Sequence, residues 1–147
     1  EVLAQAVEMG IEAAPATAQR NASCQVVDTM GVLARLYAVG AVAFVGNSLV
    51  PPGGGQNLIE PLAQGVPVLV GPWTREFSDA TELAIDGAVA WRVDGAQALA
   101  DAVVKFAGGA PDQALRARAM ALVNAQRGAA ARYAAAIEAA LPPGRAA

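Results

Sequence analysis

Two short segments carry the residue types that handle anions and hydroxyls. The first is Asp28-Thr29-Met30-Gly31, and the second runs from Gly46, Asn47 and Ser48 through Gly53, Gly54 and Gly55 to Asn57 and Glu60. Each follows an apolar run and opens a helical pattern. Helix N-termini present unpaired N–H groups and a partial positive charge, and glycine lets a ligand come close to the backbone, so both segments suit a phosphate. Three successive glycines cost about 0.5 to 1 kcal/mol each relative to alanine, more than a simple turn requires. The competing reading is that they only shape a mobile connection. No Walker-type GK[ST] ending and no GxGxxG is present, so neither a kinase nor a dehydrogenase loop fits.

Asn57 and Glu60 stand three apart, which puts both side chains on one helical face within reach of one ligand. A capping box, with Glu60 returning to Asn57, uses the same spacing. Against it, Pro61 fits the first helical position, which leaves Glu60 just outside the helix with a carboxylate able to hold the two hydroxyls of a ribose. Asp28 and Thr29 serve either as a helix cap or as ligand groups, and the cap is the commoner use. Trp73 either stacks on a base or covers a strand edge. Arg75, Arg127 and Arg132 read as solvated surface charges.

The elements that must position these residues follow from periodicity. EVLAQAVEMG reads as a helix closed by Gly10, PATAQRNAS as a loop and CQVV as a strand. A helix is expected over about 30–39 with Leu33, Leu36 and Tyr37 on one face, then a buried strand at VAFV. A helix of about two turns ending at Gly65, a strand at PVLVG, a helix over about 76–86 and a strand at AVAWRV complete the alternation. From Ala96 onward the chain is alanine-rich and helical, ending in the tail LPPGRAA, where fraying is expected. The order predicts an α/β fold: a Rossmann-like parallel sheet with helices on both faces and its ligands at the carboxyl ends of the strands.

Composition narrows the function classes. At 147 residues the chain fits one domain, and its net charge of −3 with ten scattered basic residues argues against a nucleic-acid groove. No apolar run approaches the roughly 20 residues of a membrane span. The absence of histidine makes zinc hydrolysis and Ser-His chemistry poor fits, so any acid or base must be a carboxylate. The lone Cys24 forms no intrachain disulfide and reads as a buried strand residue of a cytoplasmic protein. The chain opens inside a helix without an initiating Met or a signal-peptide pattern, the expectation for a piece of a longer protein.

DTMG with Tyr37 downstream, AFVGNSLVP, GGQN followed by IEP, GVPVLVGP with Phe77 after it, and RGAAAR together resemble the C-terminal half of 3-deoxy-D-manno-octulosonic acid (Kdo) transferases, enzymes of GT-B architecture. The resemblance implies a donor-binding domain over 1–147, without its first strand and without the N-terminal acceptor domain that holds the catalytic base. It implies transfer of Kdo from CMP-Kdo to a lipid A precursor at the cytoplasmic face of the bacterial inner membrane, with no cofactor and no metal in the nucleotide site. Gly31, Gly46, Ser48, Asn57 and Glu60 then stand where the family contacts the donor, Glu60 at the ribose and Ser48 with the glycine loop at the phosphate. Met30, Asn47, Gly53, Gly54 and Gly55 complete the expected set. Val32 stands where Glu is usual, Asn47 where a second glycine is usual, Glu76 where Asn is common, and the loop is one glycine longer. Asn is the mildest replacement if position 47 needs positive φ. A uridine-nucleotide GT-B transferase and a noncatalytic nucleotide-binding domain are the alternatives.

Overall fold

A computed structural model describes residues 1–18, 22–108 and 112–140, with the side chains of 129 and 130 excluded. The expectation for the tail 141–147 lies outside these residues. The chain divides into two compact units, Glu1–Leu36 and Tyr37–Ala147.

In the first unit, α1 (Val2–Glu8) buries Ala6. It ends as expected at Gly10, whose φ of 69° turns the chain so that the Ile11 N–H donates to the Ala6 carbonyl at 2.8 Å. β1 (Ala13–Pro15) pairs in parallel with β2 (Cys24–Val26), Ala13 opposite Cys24 and Pro15 opposite Val26. The sequence reading assigns Ala13 and Ala14 to no element and starts a loop at Pro15, because two alanines and a proline carry none of the β-branched signature of a strand. Proline is tolerated at the end of this short strand, and the ladder continues through the Ala16 N–H to the Val26 carbonyl at 2.9 Å. Cys24 lies in β2 as expected, but half-buried.

α2 (Leu33–Leu36) is a single turn that starts about three residues later than the helix expected over about 30–39, and a 3₁₀ turn carries the helical path on to Val39, where it was expected to end. Gly31, at φ 82°, breaks the helical path, and the N–H groups of Arg35 and Leu36 return to the Val32 carbonyl. Asp28 and Thr29 therefore lie too early to cap the helix, which corrects that part of the sequence reading.

The second unit opens with a 3₁₀ turn at Tyr37–Val39. Its sheet runs in the order β3 (Ala43–Phe44), β4 (Val68–Val70), β5 (Ala90–Arg92), all parallel. Every β4 residue is fully buried, as a continuous apolar run predicts for the central strand of a parallel sheet. Val68 and Val70, two residues apart and so on one face, belong to one core cluster with Leu62 of α3 (Ile59–Ala63), Ala84 of α4 (Ser78–Asp86), and Leu115, Ala119 and Val123 of α6 (Gln113–Gln126). α5 (Ala96–Ala107) brings Phe106 to 4.9 Å from the ring of Trp91. α7 (Ala129–Ala140) closes the described chain.

The short helix α3 is held chiefly by α6. Gly65, at φ 73°, turns the chain out of α3 with its Cα against the Arg116 backbone, and Arg116 Nη2 donates to the Gln64 carbonyl at 3.1 Å. The Asp112 side chain accepts from the N–H groups of Ala114 and Leu115 at 2.9 and 3.1 Å, capping the N-terminus of α6.

Candidate functional site

The glycine segment is laced to the turn after β4 by backbone bonds. The Gly54 N–H donates to the Trp73 carbonyl at 3.1 Å, the Gly55 N–H to Asn47 O at 2.9 Å, the Trp73 N–H to Ser48 O at 2.9 Å, and the Glu76 N–H to Gly54 O at 3.3 Å. All three glycines have positive φ, at 55°, 140° and 79°. A Cβ on Gly53 would lie 2.3 Å from the Trp73 Cβ, and one on Gly54 3.2 Å from the Glu76 carboxylate. Both conformation and close approach therefore require glycine here. This is a tied loop rather than a slack one.

The N–H groups of Gly54 and Gly55 are thus committed to carbonyls inside the protein. Among the described residues, the exposed Gly46 and Asn47 keep backbone N–H groups without a partner. Asn47 adopts φ 56°, the left-handed conformation that asparagine tolerates best after glycine.

Ser48 is fully buried, and both functions of its hydroxyl are used: it donates to the Val45 carbonyl at 2.5 Å and accepts from the Gly71 N–H at 2.8 Å. It bolts the end of β3 to the end of β4. A phosphate contact donated by this hydroxyl would take its proton from the Val45 carbonyl, and the side chain is fully buried.

Helix α3 begins at Ile59, not at Pro61, which puts Glu60 inside the first turn. Pro61 is still accommodated, because the first turn of a helix does not use its N–H groups. Asn57 Oδ1 accepts from the Ile59 N–H at 2.9 Å, and Asn57 Nδ2 donates to Glu60 Oε1 at 3.4 Å. Asn57, one residue before the Leu58 cap, thus holds the first helical N–H and touches Glu60 through its side-chain amide. Glu60 is exposed, and Oε2 has no partner among the described residues.

Tyr37 ionises less readily than an ordinary tyrosine, first because it is partly buried and second because of the negative charge on Glu60. With a folded pKa above the unfolded value of about 10, native Tyr37 keeps its proton where the unfolded chain has lost it. Its contribution to stability is complete below about pH 10 and drains away as pH rises through the folded pKa. We expect Glu60→Gln to bring the Tyr37 titration back toward the ordinary range, read from the ring carbons by NMR. An unchanged midpoint would contradict the electrostatic contact between the two.

In the first unit, Met30 is 95% exposed and Gly31 occupies the turn after β2. Sequence reasoning named Gly71 and Glu76 within its motifs but missed what they touch in the second unit. Gly71 abuts the Ser48 and Leu49 backbone, and Glu76 lies over Gly54. Neither contact carries a local signal, because each joins residues more than 20 positions apart.

No family model matches the chain. A 3-deoxy-D-manno-octulosonic acid transferase of Bordetella pertussis is 42% identical over 112 residues, which is 76% of this chain and 26% of that protein. The corresponding Aquifex aeolicus protein is 46% identical over 56 residues, 38% of this chain and 16% of its own length. Among solved structures, the C-terminal CMP-Kdo binding domain of WaaA from Acinetobacter baumannii superposes with a TM-score of 0.75 at 28% identity, covering 86% of this chain and 67% of that one. Along these stretches the chain is similar to Kdo transferases. Its parallel sheets and helices match the C-terminal domain of a GT-B Kdo transferase. The chain spans about a quarter or less of the length of these two Kdo transferases. Among the described residues no helix is long and apolar enough to cross a membrane.

Proposed function

We propose that this chain is the donor-binding part of a Kdo transferase and holds the CMP portion of CMP-Kdo. The likeness to a CMP-Kdo binding domain carries the reading. The tied glycine loop, the open N–H groups of Gly46 and Asn47 and the exposed carboxylate of Glu60 support it. In this reading the Gly46 and Asn47 N–H groups meet the phosphate and stabilise the charge that grows on CMP as its bond to Kdo breaks. Glu60 accepts from the ribose hydroxyls, with Asn57 holding its other oxygen. Met30 and Gly31 belong to the proposal through the sequence resemblance alone. The acceptor is a lipid A precursor, and the parent enzyme works at the cytoplasmic face of the inner membrane.

Calorimetric titration with CMP tests the role of Glu60. A hydrogen bond to a charged group contributes about 1.5 to 3 kcal/mol, so Glu60→Ala is expected to weaken CMP roughly 10- to 100-fold. UMP should bind the unaltered chain less tightly than CMP. Equal CMP affinity for the two chains would remove Glu60 from the site, and a preference for UMP would replace the cytidine donor.

A further inference from the structure

A groove of about 500 Å³ lies beside the glycine loop, lined by Pro52, Trp73, Arg75, Ser78, Glu82 and Arg92 among others. Its volume falls within the range of small-molecule sites. Two guanidinium groups and one carboxylate face it. Arg92 is committed: its Nη2 meets Glu82 at 2.5 Å and its Nη1 reaches the Gly71 carbonyl at 3.4 Å. Arg75 has no ion-pair or hydrogen-bond partner among the described residues. The groove therefore keeps one uncompensated positive charge. A nearby hydroxyl, that of Ser78, donates only a long bond of 3.3 Å to its neighbour Asp79 and is free to turn. The Glu76 carboxylate lies over Gly54 and does not line the groove.

The groove borders the glycine loop, which the Gly55 N–H ties to the Asn47 carbonyl. Pro52, just before the three glycines, lines the groove, and Trp73 walls it while packing its Cβ against Gly53 and accepting at its carbonyl from Gly54. A group joined directly to the donor phosphate has to lie next to that loop, and in CMP-Kdo this group is a sugar acid bearing a carboxylate. Arginine matches a carboxylate with two parallel N–H donors, a geometry that a lysine does not offer.

We infer that this groove binds the carboxylate of the donor sugar through Arg75, with the Arg92–Glu82 pair as its far wall and Ser78 as a second donor. The inference rests on the proposed donor reading. It assigns Arg75 a binding role where the sequence suggests only a solvated charge.

The test is a proton–nitrogen NMR titration of the 147-residue chain, following backbone amides and arginine Nε groups. The probes are free 3-deoxy-D-manno-octulosonic acid, its uncharged methyl ester and, separately, CMP. The acid should move Arg75 Nε and the Ser78 amide, and the ester should not. Arg75→Ala should weaken the acid at least fivefold while leaving the CMP response of Gly46, Asn47 and Glu60 in place. A chain that binds CMP but shows no response of Arg75 to the acid would overturn the inference and leave the donor reading standing. Equal responses to acid and ester, or no effect of Arg75→Ala, would overturn it as well. If the acid moved Arg75 but CMP bound nowhere, the donor reading would fail and the assignment of this groove to a donor would fall with it.

Discussion

Replacing Gly71 with alanine is expected to destabilise the second unit by about 3 kcal/mol or more and to abolish nucleotide binding. A Cβ at this position would lie 2.1 Å from the Ser48 carbonyl oxygen, 2.4 Å from the Ser48 carbonyl carbon and 2.5 Å from the Leu49 Cα. All three are backbone atoms, so no side chain can swing aside to make room. The chain has to separate the end of β4 from the segment after β3. That motion breaks the Gly71 N–H to Ser48 Oγ bond and the Trp73 N–H to Ser48 carbonyl bond, and it leaves a buried hydroxyl poorly paired. With total stabilities of domains at about 5 to 15 kcal/mol, the loss is a large share of the whole.

Urea denaturation of the variant beside the unaltered chain reads the effect directly. A shift below about 0.5 kcal/mol would contradict the close approach of these strands. Gly46→Ala is the matched control, because a Cβ there meets nothing within 4 Å and φ is not positive. That variant should fold normally, so any change in its nucleotide affinity reports on the site itself.

The second large effect is expected from Leu62→Ala. Leu62 is fully buried in α3 and joins the cluster formed by Val68 and Val70 with Leu115, Ala119 and Val123 of α6. Truncating a buried leucine costs about 2 to 5 kcal/mol, the upper part of the range applying where the surroundings cannot collapse into the space. Here the central strand and α6 flank the side chain, and α3 has only five residues with which to adjust. The loss also has a functional side. α3 carries Glu60 in its first turn, so a loosened helix should weaken nucleotide binding at temperatures where the rest of the chain remains folded. Urea unfolding and CMP calorimetry on the same sample separate the two effects. Wild-type stability in this variant would mean that α3 does not depend on the core for its place.

The alternation of strands and helices was legible in the sequence because β3, β4 and β5 are short apolar runs with turn residues on both sides. β1 was not legible, since alanine and proline carry no strand signature and its stability comes from pairing with β2. The helix after Met30 was legible in kind but not in where it starts. Gly31 stops the helical path in a way that the Leu33, Leu36 and Tyr37 spacing does not reveal.

In the site, the run of glycines at 53–55 signals from residue type a loop that needs glycine, and Asn47 reads only as the mildest replacement if its position needs positive φ. The destination of the glycine N–H groups does not follow from residue type, because their partners Asn47 and Trp73 become neighbours only once β3 and β4 pair. Ser48 shows the same limit. A serine beside a glycine loop suggests a ligand contact, and only the paired strand ends reveal that its hydroxyl is already occupied. The Pro61 argument placed the start of α3 two residues late, because proline is accommodated throughout the first turn and not at one position alone.

The central claim is that a cytidine nucleotide is held at the end of β3 and the start of α3. The most direct measurement is a proton–nitrogen NMR titration of the chain with CMP, read residue by residue. Selective, saturable shifts at Gly46, Asn47, Asn57 and Glu60, with Gly54 and Gly55 moving less because their N–H groups stay tied to Trp73 and Asn47, are the result predicted here. A well-dispersed spectrum that fails to respond to millimolar CMP, or that responds only at residues far from this loop, would contradict it.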